Sequence, residues 1–534
     1  MNLLKLSTTS ILSLLVSFSL SLPAHALSVQ SKSSSSFIHS IGVNTHLTYS
    51  STPYQRFDDL ILPKLQQANI LHIRDGAYNQ SSFFDKLKKL SSFGIKSNLI
   101  FSGNPPNEVL SILNSTQGSI ESVEGANESD LPVFNFSYQS KKFPEGTRNY
   151  QKDLFNTIKS SSITKSLSVI SPSMGWGENA SKLGYVGDYA DFCNLHSYPN
   201  IGQPPTIDLD SYFIPHSNKM CSNLPKIVTE TGYHNQVNHT TGISEDMAGK
   251  YIPRLLLENF NRNISRTYLY EFINQSNNSD DQSNYGLLYS DGSPKPAFTF
   301  IKNFTNLIKD VTPNPSFTPS SLNYSLEGNT SNIHSTLLQN SKGDFFLVLW
   351  QEARSWDNNS KSSISIPPID VKLSLTSLIT QAQLFNPLLS ISPFSTFTGP
   401  IDSNGKQLPL SSLNLSVPDS PIVIKLSLLS NVTSNKIIEN KVTVYRDKDY
   451  KGIKQELGIG TYEANKGQLN TVGNDSISSI KVPKGLSAYI CIHESQPSLC
   501  KTLPSGDYYS LPTSLNDQIS LVKVSSIQST APSN

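Results

Sequence analysis

Residues 70–102, ILHIRDGAYNQSSFFDKLKKLSSFGIKSNLIFS, decide the fold. They contain an apolar run, Ile70–Asp75, then an amphipathic stretch, Ser82–Leu90, and then a second apolar run, Ile95–Ser102. Short apolar runs bounded by polar residues are typical of buried strands, and apolar residues at helical spacing indicate a helix between them. The stretch therefore predicts two parallel strands joined by a helix.

The same alternation recurs along residues 37–310. The apolar runs number eight, and they are Ile38–His46, Ile70–Asp75, Ile95–Ser102, Ser119–Glu128, Leu167–Met174, Ala190–Tyr198, Lys226–Glu230 and Arg266–Ile273. The helix-like stretches include Tyr54–Ala68, Ser82–Leu90, Asn149–Lys159, Glu245–Phe260 and Lys295–Lys309, with a weaker sixth near Leu209–His216. Strand and helix repeated in this way predict an α/β fold, a (β/α)8 TIM barrel.

Other segments flank the predicted barrel. Residues 1–26 have a basic start, a short apolar run and a small-residue site, a pattern typical of a cleaved secretory signal peptide rather than a membrane span. A Ser-rich tether, Ser31–Ser36, is expected to follow it. Short β-rich runs predict an antiparallel all-β sandwich over residues 320–430, after a Pro- and Ser-rich linker. A polar stretch, Asn431–Asn440, then leads to a third module over residues 440–525 and a polar tail.

Composition limits the possible partners of the chain. Only 16% of the residues are charged and the formal net charge is +1, so there is no electrostatic case for a nucleic-acid or polyanionic partner. The four cysteines form two near pairs, Cys193 with Cys221 and Cys491 with Cys500. In a secreted protein two disulfides are the natural interpretation, although reduced core thiols remain an alternative. We expect a secreted monomer without a membrane span.

The polar residues that end the apolar runs are the candidate site, because reactive groups of such barrels lie at the C-terminal ends of the strands. They are Asn44, His46, Arg74, Asp75, Asn127, Glu128, His196, Tyr198, Glu230, Tyr270 and Glu271. Glycosidic cleavage needs one carboxyl group that protonates the leaving oxygen and a second that attacks or activates water. Strands four and seven face each other across a barrel, which singles out Glu128 and Glu230. A lone strand-end glutamate is more often salt-bridged or solvated, so the pair carries the hypothesis.

Two motifs extend the hypothesis to a family. VEGANE at Val123–Glu128 and VTETGYH at Val228–His234 resemble the acid/base and nucleophile strands of clan A glycoside hydrolases. Further matches are IRDG at Ile73–Gly76, NLHSYP at Asn194–Pro199 and YGLLYSDGSPKPAF at Tyr285–Phe298. One departure is Ser129-Asp130, where the family often has Pro after the Asn-Glu pair.

The resemblance implies double displacement with retention at the anomeric carbon. We expect a β-linked neutral polysaccharide or oligosaccharide as the substrate and no cofactor for catalysis. Glu230 would be the nucleophile and Glu128 the acid and then the base. Arg74 would keep Glu230 ionised, Tyr198 would donate to the same carboxylate, and Asn127 would contact the sugar 2-hydroxyl.

Three further residues complete these expectations. His46 and His196 are interpreted as sugar contacts or supports of the nucleophile, because two histidines without clustered carboxylates are a poor metal signature. Glu124 lies four residues before Glu128, on the same face of a strand. We therefore expect Glu124 to be a structural partner inside the barrel.

The third module resembles a βγ-crystallin domain, an all-β Greek-key fold. Tyr445, Tyr450 and Gly452 match the start of its Greek key, and NDSISS at Asn474–Ser479 matches its calcium motif of two Asn/Asp, two variable residues and two hydroxyl residues. The implied Ca²⁺ ligands of this copy are Asn474, Asp475, Ser478 and Ser479. NDQISL adds Asn516 and Asp517 but ends in Leu521, which weakens the second copy. Two calcium-free polar turns remain the alternative.

A different class of function also stays open. The alternative hypothesis is a non-catalytic glycan-binding surface protein whose calcium-binding crystallin-like module anchors or stabilises it. A Gln or Ala at position 128 or 230 would favour that interpretation, but both carboxylates are present. A polysaccharide lyase is a weaker third possibility, because no Tyr/His/Lys arrangement stands out beside the paired carboxylates.

Overall fold

The computed structural model describes residues 27–222, 224–310, 314, 316–428, 441–458, 460–483, 486–493 and 499–526. The predicted signal peptide, the polar stretch Asn431–Asn440 and the tail from residue 527 lie outside the described residues. The chain divides into two compact units, Met1–Leu429 and Ser430–Asn534. Among the described residues, no helix has the length and apolar character needed to cross a membrane.

The first unit contains an eight-stranded parallel sheet. Its strands, here numbered one to eight along the chain, are Ile41–Asn44, His72–Gly76, Lys96–Ile100, Ile120–Glu124, Ser168–Ile170, Cys193–His196, Lys226–Thr231 and Thr267–Leu269. Strand one pairs with strands two and eight, and a parallel bridge between Ile170 and Phe192 joins strand five to the start of strand six. The sheet therefore closes on itself, and the predicted (β/α)8 barrel is confirmed.

Helices follow the strands. They are Phe57–Ile61 continuing as Leu62–Gln67, Ser81–Ser92, Pro106–Ser115, Glu145–Ser160, Ala180–Leu183, Leu209–Phe213 continuing as Ile214–Cys221, Glu245–Asn261 and Pro296–Ile308. The seventh begins at Ser244, whose hydroxyl accepts from the Met247 N–H, and acidic Glu245 and Asp246 occupy its positively polarised first turn. The sixth helix, the weakest prediction, is present and longer than expected.

Side-chain alternation gives the barrel an apolar outside and a polar inside. In strand four, Val123 packs in the apolar cluster under the helices, whereas neighbouring Glu124 points to the other side and is fully buried. Glu124 accepts hydrogen bonds from Arg74, Asn98 and Asn194 on strands two, three and six. This polar interior continues directly into the strand ends where the candidate site lies.

The predicted Ser-rich tether at Ser31–Ser36 is wrong. Strand Leu27–Gln30 pairs with Ser321–Gly328, and strand Lys32–Ser33 pairs with Ile333–Gln339, so the chain contributes one strand to each sheet of the sandwich before it enters the barrel. Helix Ser34–His39 follows, capped by the Ser33 hydroxyl, which accepts from the Ser36 N–H. Ser33 ends the strand and caps the helix, and Ser34, Ser35 and Ser36 form its first turn.

Two sheets form the predicted sandwich, and their pairings are antiparallel except that Lys32–Ser33 runs parallel to Ile333–Gln339. One has four strands, Leu27–Gln30, Ser321–Gly328, Ile369–Leu375 and Ser412–Val417; the other has six, Ser395–Thr398, Ile379–Phe385, Ile422–Leu428, Phe345–Gln351, Ile333–Gln339 and Lys32–Ser33. A short hairpin pairs Trp356–Asp357 with Ser362–Ser363. Phe346, Val348 and Trp350 belong to the same apolar cluster as the barrel helices, so the sandwich packs on the barrel.

The second unit has two four-stranded antiparallel sheets. Lys454–Leu457, Val442–Tyr445, Ser479–Val482 and Gly506–Tyr508 form the first, and Gly460–Glu463, Leu521–Ser526, Leu486–Cys491 and Cys500–Leu503 form the second. Because Gly460–Glu463 leaves its sequence neighbours to join the second sheet, the connection is of the Greek-key type. The predicted disulfides Cys193–Cys221 and Cys491–Cys500 are both present.

Candidate active site

A cavity of about 510 Å³ opens at the C-terminal ends of the barrel strands. Its lining includes the predicted residues Asn44, His46, Arg74, Asp75, Asn127, Glu128, Tyr198, Glu230 and Tyr270, together with Tyr49, Tyr78, Phe134 and Tyr285. A larger cavity of about 930 Å³ lies near the starts of strands one and eight, and Asp310 is the one acidic residue among the described residues that line it. The carboxylate pair therefore identifies the smaller cavity as the candidate site.

Glu230, at the end of strand seven, is held by two strong donors. Arg74 Nη1 lies 2.6 Å from Glu230 Oε1, and the Tyr198 hydroxyl donates to Glu230 Oε2 over 2.8 Å. Burial favours the neutral acid, but the charges of His196 and Arg74 outweigh it and hold the pKa of Glu230 below its usual value. Glu230 is accordingly an ionised carboxylate with one face toward the cavity.

Arg74 connects this carboxylate to the barrel interior. It is 2% exposed and donates twice to Glu124, at 2.8 and 2.7 Å, and once each to Asn44, Asn127 and Glu230. Burial lowers the pKa of Arg74, but Glu124 and Glu230 more than offset that effect and raise it. The structure thus places Glu124 inside the barrel, where it fixes the guanidinium that faces Glu230.

Glu128 follows strand four with its backbone in the left-handed region, φ 41°. Its N–H donates to the Ser173 hydroxyl over 3.0 Å, and its carbonyl accepts from the Leu131 N–H. A non-glycine residue in this region costs about 1–3 kcal/mol and persists where surrounding contacts hold it. The conformation directs the Glu128 carboxyl into the cavity.

One proton is shared between Glu128 and His196. The Thr229 hydroxyl donates to Asn194 or Glu124, so its lone pair accepts from His196 Nε2–H at 3.0 Å. The other ring nitrogen, Nδ1, faces Glu128 Oε1 at 2.7 Å. That contact needs one proton, either on the carboxyl group or on an imidazolium. Burial lowers the pKa of His196, but Glu230 and Glu128 outweigh it and raise the pKa.

The two carboxyl groups are close together. One oxygen of Glu128, one ring nitrogen of His196 and one oxygen of Glu230 all lie within 4.8 Å of one another. Tyr198 stands beside Glu230, and burial followed by the Glu230 charge raises its pKa well above the ordinary value, so its phenol stays a donor. The structure therefore brings together Arg74, Asn127, Glu128, His196, Tyr198 and Glu230.

His46 lines the other side of the cavity. It pairs with the fully buried Glu271 at 3.2 Å and stacks on Tyr49, with ring centroids 4.5 Å apart. Glu271 also accepts from the Tyr54 hydroxyl. Burial lowers the pKa of His46, but the Glu271 carboxylate 3.2 Å away outweighs it and raises the pKa. His46 thus presents a stacked ring to the cavity, backed by the Glu271 carboxylate.

The departure at Ser129-Asp130 has a structural role. Asp130 accepts from the N–H groups of Gly175 and Trp176 and from Asn179, which fixes the loop after strand five. Sequence reasoning missed this role, as it missed Ser173 and Thr229, because each acts through a residue distant in the chain. No periodicity marks such contacts in a single sequence.

The two motifs of the second unit lie against each other. Ser478 donates to Asp517 Oδ1 at 2.7 Å, and Ser520 donates to Asp475 Oδ1 at 3.1 Å, so each carboxylate is joined to a hydroxyl group of the other motif. Both aspartates are left-handed, with φ 48° and 56°.

Two other members of these motifs differ in their surroundings. Ser479 donates to the Asp447 carbonyl and accepts from the Tyr450 N–H, which places its hydroxyl on the backbone of that hairpin. Asn516 Oδ1 is buried and has no hydrogen-bond partner among the described residues. Among the described residues, the side-chain oxygens of the two motifs therefore cluster around the pairs Ser478–Asp517 and Ser520–Asp475.

Comparison with known proteins finds different similarities for the two units. No protein-family model and no curated protein matches the chain. A solved family 39 glycoside hydrolase from Bacteroides cellulosilyticus WH2 is 15% identical over 73% of this chain and 82% of its own, with a TM-score of 0.45. The barrel fold itself rests on the strand order described above.

The second unit has closer likenesses. A βγ-crystallin domain from Flavobacterium johnsoniae is 31% identical over 17% of this chain and 98% of its own, with a TM-score of 0.16. One from Clostridium beijerinckii is 31% identical over 16% and 95%, with a TM-score of 0.15. The predicted βγ-crystallin-like domain is thus confirmed.

Proposed function

We propose that this chain, which joins a (β/α)8 barrel and a β-sandwich to a βγ-crystallin-like domain, is a secreted retaining glycoside hydrolase. The observation that carries the proposal is the approach of Glu128 and Glu230 within 4.8 Å at the mouth of the barrel. Retaining enzymes hold their carboxyl groups about 5–5.5 Å apart, whereas inverting enzymes leave about 6.5–9.5 Å for a water molecule. The spacing supports attack by a carboxylate.

Glu230 is the nucleophile of the proposed reaction. Its oxygen attacks the anomeric carbon as the bond to the leaving oxygen breaks, which gives a covalent glycosyl-enzyme. Arg74 and Tyr198 keep Glu230 ionised and oriented through bonds of 2.6 and 2.8 Å. In the second step the Glu230 carboxylate is the leaving group, and the charge of Arg74 stabilises it as it leaves the sugar.

Glu128 supplies and recovers the proton. In the first step the proton shared with His196 passes from the Glu128 carboxyl group to the leaving oxygen. In the second step Glu128 takes a proton from the water that attacks the glycosyl-enzyme, and the shared proton is restored. The Oδ1 of Asn127 accepts from Arg74, so its amide N–H group is the end that would meet the sugar 2-hydroxyl.

We assign the substrate to β-linked neutral glycans. The cavity offers several aromatic faces, Tyr49, Tyr78, Phe134 and Tyr285, which suit the C–H surfaces of sugar rings. The low charge of the chain offers no attraction to polyanions. Two disulfides, Cys193–Cys221 and Cys491–Cys500, support an oxidising, extracellular location.

The experiment is a screen of the exported protein against β-linked polysaccharides and aryl β-glycosides, with Glu230→Gln as the blank. Activity that the blank lacks would support the proposal. On the best substrate, Glu230→Ala should lose turnover and regain part of it with azide, which replaces the nucleophile and gives the glycosyl azide of inverted configuration. Equal activity of wild type and blank on every substrate would refute the assignment.

We also propose that the βγ-crystallin-like domain binds Ca²⁺. Asp475 and Asp517 supply carboxylates, Ser478 and Ser520 supply hydroxyl oxygens, and Asn516 supplies a buried carbonyl oxygen that has no partner among the described residues. Hard oxygen donors of this kind suit Ca²⁺. Because these residues lie in the second unit and the Glu128–Glu230 chemistry needs no metal, the ion would stabilise the domain and take no part in catalysis.

A further inference from the structure

Two loops beside the candidate active site bring together two histidines and an aspartate. His234 and His239 lie in the loop after strand seven, and Asp281 lies in the loop after strand eight. One nitrogen of each imidazole and one Asp281 oxygen all lie within 4.8 Å of one another. His239 Nε2 is 3.8 Å from Asp281 Oδ2.

His234 is the least ordinary member of this cluster. Its side chain is 1% exposed, and its Nε2 lies 2.8 Å from the Thr241 hydroxyl. Its Nδ1 is buried and has no hydrogen-bond partner among the described residues. A buried nitrogen without a partner costs about 1–3 kcal/mol, which a bound ligand would offset.

We propose that His234, His239 and Asp281 form a binding site for a divalent transition-metal ion, with Zn²⁺ as the fitting ion. Two imidazole nitrogens and one carboxylate are a donor set that suits zinc, and a solvent molecule would complete its four positions. A metal-binding histidine usually makes a hydrogen bond with its second ring nitrogen. Here His234 Nε2 makes that bond with Thr241, which leaves Nδ1 to bind the ion.

The distances fit this assignment. Ligands about 2.0–2.1 Å from a tetrahedral ion lie about 3.4 Å apart. The 3.8 Å between His239 and Asp281 and the two further separations, all within 4.8 Å, therefore each need a contraction of about 1.4 Å or less. Both side chains are partly exposed and free to make it.

Lys361 affects the site in two ways. Its ammonium group donates to the carbonyl oxygens of His239 and Thr240, at 2.9 and 3.2 Å, and so fixes the loop that carries His239. Its positive charge opposes that of the ion, while Asp281 contributes the negative charge. We therefore expect that removal of the Asp281 charge weakens binding strongly.

The proposed ion would join the two loops next to the nucleophile. The His234 ring packs against Tyr285, with centroids 5.2 Å apart, and Tyr285 packs against Tyr198 at 5.7 Å. Tyr198 in turn donates to Glu230. Fixing His234 would therefore fix Tyr285 as a wall of the sugar cavity, without placing the metal among the reacting atoms.

The test is Zn²⁺ binding to the full chain by equilibrium dialysis and metal analysis, with excess Ca²⁺ present to occupy oxygen sites. Wild type should bind Zn²⁺, and His239→Ala and Asp281→Asn should each lower the affinity by about tenfold or more. His493→Ala removes an exposed histidine of the second unit and should leave the affinity unchanged. These variants change exposed or half-exposed side chains, so the fold should be retained.

A fourth variant separates this site from the catalytic carboxylates. Glu128, His196 and Glu230 form the other group of the described residues that could hold an ion, and Glu230→Gln removes one of its ligands. Under the proposal, Glu230→Gln keeps the Zn²⁺ affinity of wild type. Loss of binding in Glu230→Gln, unchanged binding in His239→Ala and Asp281→Asn, or no binding by wild type would each overturn the proposal.

Discussion

Replacing Arg74 by methionine tests the organisation of the site. The guanidinium is buried between Glu124 and Glu230 and also donates to Asn44 and Asn127. Methionine fills much of the same space but removes the charge and all five donated bonds. Glu124 would keep Asn98, Asn194 and Thr229 as partners, yet its charge would be uncompensated inside the barrel.

The expected loss of stability follows from this burial. Removing one partner of a buried ion pair costs about 3–5 kcal/mol, because a charge is left without a counter-charge. Arg56→Met is the matched control, since Arg56 pairs with Asp59 where both side chains are mostly exposed, at 50% and 62%. An exposed pair contributes about 0–1 kcal/mol. The two arginine substitutions should therefore differ by at least about 2 kcal/mol.

Urea unfolding followed by tryptophan fluorescence measures this difference. All three tryptophans, Trp176, Trp350 and Trp356, lie in the first unit, so the signal reports the barrel and sandwich alone. If Arg74→Met and Arg56→Met unfolded at the same urea concentration with the same slope, the claim that Arg74 compensates buried carboxylates would be wrong.

The same substitution has a signed effect on pH dependence. In the wild type the pKa of Glu230 is depressed, so the pairing stabilises the fold above the unfolded pKa and that stability is lost as pH falls through the folded pKa. Without Arg74, the pKa of Glu230 should rise. The acidic limb of the activity profile should then move to higher pH, and an unmoved limb would contradict the proposed role of Arg74.

Three further outcomes are expected. His196→Gln should reduce kcat/KM more for glycosides with poor leaving groups than for activated aryl glycosides, because it disturbs the proton on Glu128; equal losses on both classes would count against the shared proton. Replacing Cys193 and Cys221 together by serine should lower the stability of the first unit by about 2–4 kcal/mol in urea unfolding, and an unchanged midpoint would show that the bridge contributes nothing. Calorimetry of the full chain should show one transition raised by Ca²⁺, by about 2.7 kcal/mol at a hundredfold excess over Kd. Asp475→Asn should erase most of this shift and Asp507→Asn, an exposed control in the same domain, should keep it; a shift that survives Asp475→Asn would refute the site.

The sequence predicts the barrel because two independent features indicate each strand. Each apolar run gives a buried strand, and the polar residues that end it give the face on which the site lies. Arg74 after Ile73 and Glu124 after Val123 also show the alternation that directs one side chain outward and the next inward. The contacts between strands two, four and seven then follow from the closure of the sheet.

Other features depend on contacts that no local pattern records. Leu27–Gln30 becomes a strand because it pairs with Ser321–Gly328, nearly three hundred residues away in the chain. The serines that follow it have a composition typical of a tether, yet Ser31 donates to the Ser320 carbonyl and Ser33 caps a helix. Tertiary pairing overrides the local preference at such positions.

The sequence likewise identifies some residues of the candidate site and misses others. Glu128 and Glu230 could be identified because both end strands in recognisable motifs. The partners of these carboxylates were harder to identify, since Thr229 accepts from His196 Nε2–H only because its own proton goes to Asn194 or Glu124. Hydrogen-bond direction is a property of the assembled site and leaves no mark in the sequence.

The stereochemistry of the first product tests the central claim most directly. Proton NMR of the hydrolysis of a β-glycoside, recorded before the sugar mutarotates, distinguishes the anomers. Attack by Glu230 at the observed spacing predicts that the β-anomer forms first, with retention. Initial formation of the α-anomer would mean that water attacks directly, and would contradict Glu230 as the nucleophile.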